Sequence, residues 1–159
     1  MKTRDLSEIK SKDLNDKMSQ WFMRFSDQCT GSKMYQQLSK FISSDLQILS
    51  IAANGNQAQP IPNLFLAAIH FLLLKDKSSP LAIYYPSLGG RFVDSTDFKN
   101  TFKNFAVTNS EKIIQLTKTR TVQTNEVRRC AQLIAGLSII SEKIENRPIT
   151  LIDIGTSSG

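Results

Sequence analysis

Asn63-Leu64-Phe65-Leu66-Ala67-Ala68-Ile69-His70-Phe71-Leu72-Leu73-Leu74-Lys75 carries apolar side chains nearly all round a helical wheel, the composition of a helix buried on most sides. Pro62 suits its first position, where the missing N–H costs no hydrogen bond. The longest apolar run, Leu64 to Leu74, is interrupted by His70 and falls below the roughly 18 residues that a membrane-spanning helix needs. The stretch therefore reads as the central helix of a core, with no membrane partner. His70, the single histidine, reads as a satisfied core residue ahead of a ligand or base.

Amphipathic helices flank it on the amino-terminal side. Leu14, Met18, Trp21, Phe22 and Phe25 recur at three- and four-residue spacing, which predicts a helix over 13–28 with Asp13 as its cap and residues 1–12 as a flexible leader. Gly31 punctuates, Met34, Leu38, Phe41 and Ile42 resume the period, and a further helix covers Asp45 to Ala53. The segment from Asn54 to Pro60 is a loop by composition.

On the other side, Pro80 to Gly90 is a short apolar segment closed by turn formers. Of Tyr84 and Tyr85, one ring is expected to pack while the other offers its hydroxyl. Phe98, Phe102 and Phe105 mark the next helix, and Thr108-Asn109-Ser110-Glu111 has the form of a capping box for a helix through Ile113, Ile114, Leu116 and Thr117. The last long helix takes Thr124 as cap and Val127, Cys130, Ala131, Ile134 and Leu137 as a buried stripe. Hydrogen-bonding groups gather at its amino end, Gln123, Asn125, Glu126, Arg128 and Arg129, where they either anchor the preceding loop or face a polar ligand.

Ile149, Leu151, Ile152 and Ile154 then form a β-branched and aliphatic run, followed by Gly155-Thr156-Ser157-Ser158-Gly159. This is the pattern of a buried parallel strand entering a tight turn. The expected fold class is mainly α: about seven helices over 1–147, and over 148–159 the first strand and turn of an incomplete Rossmann-like α/β domain. An unpaired apolar strand invites self-association at an edge.

Composition narrows the function classes. At 40% hydrophobic and 21% charged, the chain has the balance of an ordinary soluble domain. Met1 to Asp16 mixes acidic and basic residues without an apolar run, which excludes the usual secretory signal and points to the cytoplasm. Cys29 and Cys130 lie far apart with no CxxC spacing, so they read as buried thiols and no metal site is expected. The net charge of +6 is spread along the chain, which makes nucleic acid an unlikely partner. Lys118, Arg120, Arg128 and Arg129 against Glu126 are the one local excess, a solvated face or a seat for an anionic group. The sequence contains no HExxH or phosphate-cradling GxxxxGK[ST], and one histidine supplies little acid–base chemistry.

Four stretches together resemble the bacterial domain-of-unknown-function family DUF2332: Asn63 to Leu73, Tyr84-Tyr85-Pro86-Ser87-Leu88-Gly89-Gly90, Thr121-Val122-Gln123-Thr124-Asn125-Glu126-Val127-Arg128-Arg129-Cys130, and Leu151 to Gly159. The resemblance implies a longer protein, continuing into an α/β region similar to S-adenosylmethionine-dependent methyltransferases. It brings no established activity. In such folds an acidic residue and a glycine-rich turn admit the methionine end of the cofactor. Asp153, Gly155 and Gly159 match that pattern, and Ser157 stands where a middle glycine is usual. The implied cofactor is S-adenosylmethionine in the longer protein, with none expected for this chain alone. The helices would then act as a lid or substrate-selecting portion, offering Tyr84 or Tyr85, Arg91, Gln123, Asn125, Glu126 and Arg128 to a small polar molecule. The rival expectation is a free-standing helical interaction module without catalysis.

Overall fold

A computed structural model describes residues 6–56, 58–121, 128–144, 148 and 150, with side chains from residue 13 in the first helix and beyond residue 130, except 132, in the last. The chain divides into two units, Met1–Val122 and Gln123–Gly159. The first holds α1 (Leu6–Gln28), α2 (Lys33–Ile42), α3 (Leu46–Ala53), α4 (Ile61–Lys75), two 3-10 turns (Pro80–Tyr84 and Pro86–Leu88), α5 (Thr96–Thr108) and α6 (Ser110–Thr119). The second holds α7 (Arg128–Lys143). Seven α-helices are thus present among the described residues, while the predicted strand and glycine turn over 149–159 lie outside them save for the single position 150.

α2, α3 and α5 start where a short polar side chain satisfies open N–H groups. Ser32 accepts from Tyr35 N, Asp45 from Gln47 N and Ile48 N, and Ser95 from Phe98 N. Three predicted starts differ. α1 begins at Leu6, so Asp13 lies inside the helix and caps nothing. The sequence Thr108-Asn109-Ser110-Glu111 forms no capping box either: α5 runs through Thr108, and the Asn109 amide turns back to donate to Phe105 O at 3.0 Å. Thr108, the cap that such a box requires, is already inside α5, and no side chain caps α6. At α4 the order is Pro60 as cap, then Ile61 and Pro62, one residue ahead of the expected start.

The first unit packs α1 against α2, α3 and α4, and sets α6 on α4 and α5 on the first 3-10 turn. Phe22 of α1 meets Phe65 of α4 edge-on at 5.9 Å, and both are fully buried. Burying each such side chain contributes about 1.5–3 kcal/mol. Phe98 anchors α5 among Tyr84, Phe92 and Phe102. Lys103 of α5 donates to the Asp45 carboxylate at 2.7 Å, tying α5 to the cap of α3. Asn56 N donates to Thr117 O at 3.1 Å, fastening the end of α3 to the end of α6.

The segment between α4 and α5 is a knot of short turns. Leu88 N and Gly90 N both donate to Tyr85 O, Gly89 N to Pro86 O, and Arg91 N to Ile83 O at 2.8 Å. Gly89 adopts φ +84°, a left-handed conformation that suits glycine. At Gly90 a side-chain Cβ would lie 2.2 Å from Ile83 O, so nothing larger than hydrogen fits.

In the second unit the expected buried stripe is not buried. Ala131 is exposed, Ile134 is 64% exposed and Leu137 is half-buried; the side chains of Val127 and Cys130 lie outside the described residues. Helical spacing selects one face of α7, but burial needs a second surface to cover that face.

Candidate functional site

Two places in the first unit gather polar side chains. The first is an aromatic cluster. Tyr85 is fully buried and stacks on His70 at 5.6 Å and 29°, while Tyr35 of α2 meets it edge-on at 6.5 Å. His70 Nε2 lies 2.8 Å from Ser87 Oγ. Burial holds the His70 imidazole below its ordinary pKa, which favours the neutral ring. Burial, with Tyr35 adding to it, pushes the Tyr85 phenol far above the ordinary tyrosine value. Burial, reinforced by Cys29, likewise raises Tyr35. These phenols stay protonated. The Tyr85 hydroxyl and the Ser39 hydroxyl have no partner among the described residues.

A serine beside a neutral histidine resembles half of a nucleophilic apparatus. The other half is missing from this geometry. The backbone N–H groups of Leu88, Gly89, Gly90 and Arg91, the donors nearest in sequence to Ser87, are all spent on carbonyls of the same knot, leaving none of them to hold an oxyanion. The described residues also contain no group of three His, Cys, Asp or Glu able to hold a metal ion. What the described residues do show is a tie: His70 and Ser87 fasten the Tyr85–Gly90 knot to α4.

The second place is a groove of about 910 Å³ between the end of α4, the Ser78–Leu81 turn, α5 and the start of α6. Its floor is apolar, with Leu72, Leu81, Phe105 and Leu116 buried or half-buried. Lys75, Thr101, Asn104, Thr108, Lys112 and Gln115 line it as well, and none of these side chains makes a hydrogen bond or ion pair within the described residues. Lys75 Nζ lies over the Phe71 ring at 4.8 Å. Asp76 also lines the groove, where its carboxylate accepts from Ser78 N and Ser78 Oγ. A concave apolar floor with a few uncommitted polar groups is the usual build of a small-molecule site.

The residues expected from sequence stand elsewhere. Tyr85 is the tyrosine that packs. Tyr84 stays half-buried with its ring 5.1 Å from Phe98. Arg91 is exposed beyond the knot. None of the three lines the groove. Gln123, Asn125 and Glu126, the Arg128 side chain, and Asp153, Gly155, Ser157 and Gly159 all lie outside the described residues. The groove itself has no motif, since its polar groups come from three helices and a turn. One local signal was available: Lys112 sits in the first turn of a helix, where a cation is unfavourable.

The bacterial family described as "Uncharacterized protein conserved in bacteria (DUF2332)" matches residues 19–159. No curated protein and no solved structure matches the chain.

Proposed function

The chain belongs to the DUF2332 family, and from that premise we propose that it is the helical, substrate-selecting portion of an S-adenosylmethionine-dependent methyltransferase-like protein. The observation that carries this reading is the groove between α4, α5 and α6, with uncommitted polar side chains over an apolar floor. Among its described residues the helical unit offers a place to hold an acceptor molecule and no assembled apparatus to transform one. Its contribution is to bind and orient, which raises the effective concentration of an acceptor beside a cofactor held elsewhere. The cofactor would supply the methyl group, and Asp153, Gly155, Ser157 and Gly159 are the residues proposed to meet it.

The test uses a family member that carries both the helical and the α/β regions. Radiolabelled S-adenosylmethionine over a metabolite pool should label an acceptor, and substitutions in the groove should raise the acceptor KM while leaving cofactor affinity unchanged. Absence of both cofactor binding and transfer would sink the reading. For the 159-residue chain, calorimetry with S-adenosylmethionine reads the affinity that its own residues supply, and little or no binding is expected. A micromolar dissociation constant would move the cofactor site onto the helices.

One observation favours the rival, a helical interaction module without catalysis. Leu133, Ile134 and Ile140, which fall within about a third of the α7 circumference, are all 46% or more exposed, and neighbouring exposed apolar residues mark association surfaces. Concentration-dependent self-association in sedimentation velocity, abolished by Ile134→Lys, would support the module.

A further inference from the structure

We infer that the groove between α4, α5 and α6 takes a monoanionic carboxylate with an apolar body, and that Lys112 is the residue that seats the carboxylate. This names the substrate class of the site proposed above and rests on that reading. The two lysines of the groove are not equivalent. Lys75 lies in the last turn of α4, where the helix's partial negative charge offsets it, and its ammonium is already over the Phe71 ring. Lys112 lies in the first turn of α6, where the helix end carries partial positive charge. No ion pair within the described residues offsets it, and Glu111 in the same turn does not line the groove. An anion placed there meets both the ammonium and the helix end.

The charge limits the anion. Lys75 and Lys112 face Asp76, so the lining carries a single net positive charge, and a dianionic phosphate monoester would leave charge uncompensated. No arginine lines the groove to supply the bidentate fork that suits phosphate. Asn104 and Gln115 offer amide donors for the carboxylate or a second polar group, while the Leu81, Phe105 and Leu116 floor fits an aliphatic or aromatic body.

Calorimetry of the full chain at low ionic strength with octanoate, octanol and octyl phosphate tests this. Octanoate should bind at least about tenfold more tightly than octanol, the factor expected of one charge-assisted hydrogen bond. Lys112→Gln should erase that difference. Lys118→Gln, on the same helix but outside the groove, should leave it intact. The inference is overturned if octanol matches octanoate, if octyl phosphate binds more tightly, if the preference survives Lys112→Gln or is lost equally in Lys118→Gln, or if none of the three binds. The two readings fail separately. Octanoate binding by a chain whose two-region relative transfers no methyl group keeps the site and removes the methyltransferase reading; transfer only to acceptors without a carboxylate does the reverse.

Discussion

The cluster around Tyr85 and the groove between α4, α5 and α6 both mix polar with apolar side chains, within one helical unit and on overlapping elements. At Tyr85 the polar atoms are sealed or spent: the phenol is buried without a partner, His70 is held by Ser87, and the neighbouring amides are committed to the knot. In the groove Lys112, Asn104, Thr101 and Gln115 keep their polar atoms uncommitted at the surface. A polar group satisfied inside the protein contributes to folding, whereas one left facing solvent contributes little to folding and remains available to a ligand. The buried Tyr85, the kind of residue often first considered in a sequence, is here among the residues least able to meet a substrate.

That contrast breaks first at Tyr85. Tyr85→Ala should destabilise by about 3–5 kcal/mol as a large buried truncation, while Tyr85→Phe should be neutral or stabilising, because the hydroxyl it removes is unpartnered. Urea denaturation of both variants decides; a large loss in Tyr85→Phe would reveal a hydroxyl partner and reassign the cluster. Gly90→Ala comes next. With Ile83 O 2.2 Å from the new carbon the backbone must shift, and a cost of about 1–3 kcal/mol is expected by analogy with overpacking, readable as a fall in Tm.

Asp45→Ala removes both the α3 cap and the partner of Lys103, for about 1–2 kcal/mol from the cap. Its pH dependence has a definite sign. Burial alone would raise the Asp45 pKa, but the Lys103 bond and the N–H groups of Ile48 and Gln47 outweigh it and hold the carboxyl below the ordinary value of 3.8. The stabilisation is therefore present above the unfolded pKa and disappears as pH falls through the folded one. The deficit of Asp45→Ala, followed by denaturation across acid pH, should shrink accordingly.

His70 gives a smaller effect in a different window. Burial lowers its folded pKa below the ordinary 6.5, so the unfolded chain takes the proton first and stability declines as pH drops below about 6.5. His70→Gln should flatten that decline. Smallest of all, Lys112→Gln and Asn104→Ala should change stability by no more than about 0.5 kcal/mol. A larger loss would move either side chain from the groove's available groups to its structural ones.

The helices were legible wherever a periodic apolar face coincided with a burying partner, as in Met34, Leu38 and Ile42 or Phe98 and Phe102. Sequence falls short where one residue can end one helix or open the next, as Thr108 does, and where periodicity alone does not fix burial, as at Ile134. Pairing Tyr84 with Tyr85 signalled divergent side chains, but their identical chemistry left open which would be sealed. The groove was beyond reach for a plainer reason. Lys75, Asn104 and Lys112 have no fixed sequence relation and become neighbours only after α4, α5 and α6 pack.

The knot from Ile83 to Arg91 has a consequence for how the chain survives in a cell. Proteases take their substrates as extended strands, with several consecutive amides offered outward. Here the amides of Leu88, Gly89, Gly90 and Arg91 are folded back on carbonyls of the same segment. Arg91, although exposed and followed by a phenylalanine, therefore presents trypsin-like enzymes with a coil they must first undo. A surface loop that looks like a cleavage site on paper is thus held folded on the amino-terminal side of its arginine by its own geometry.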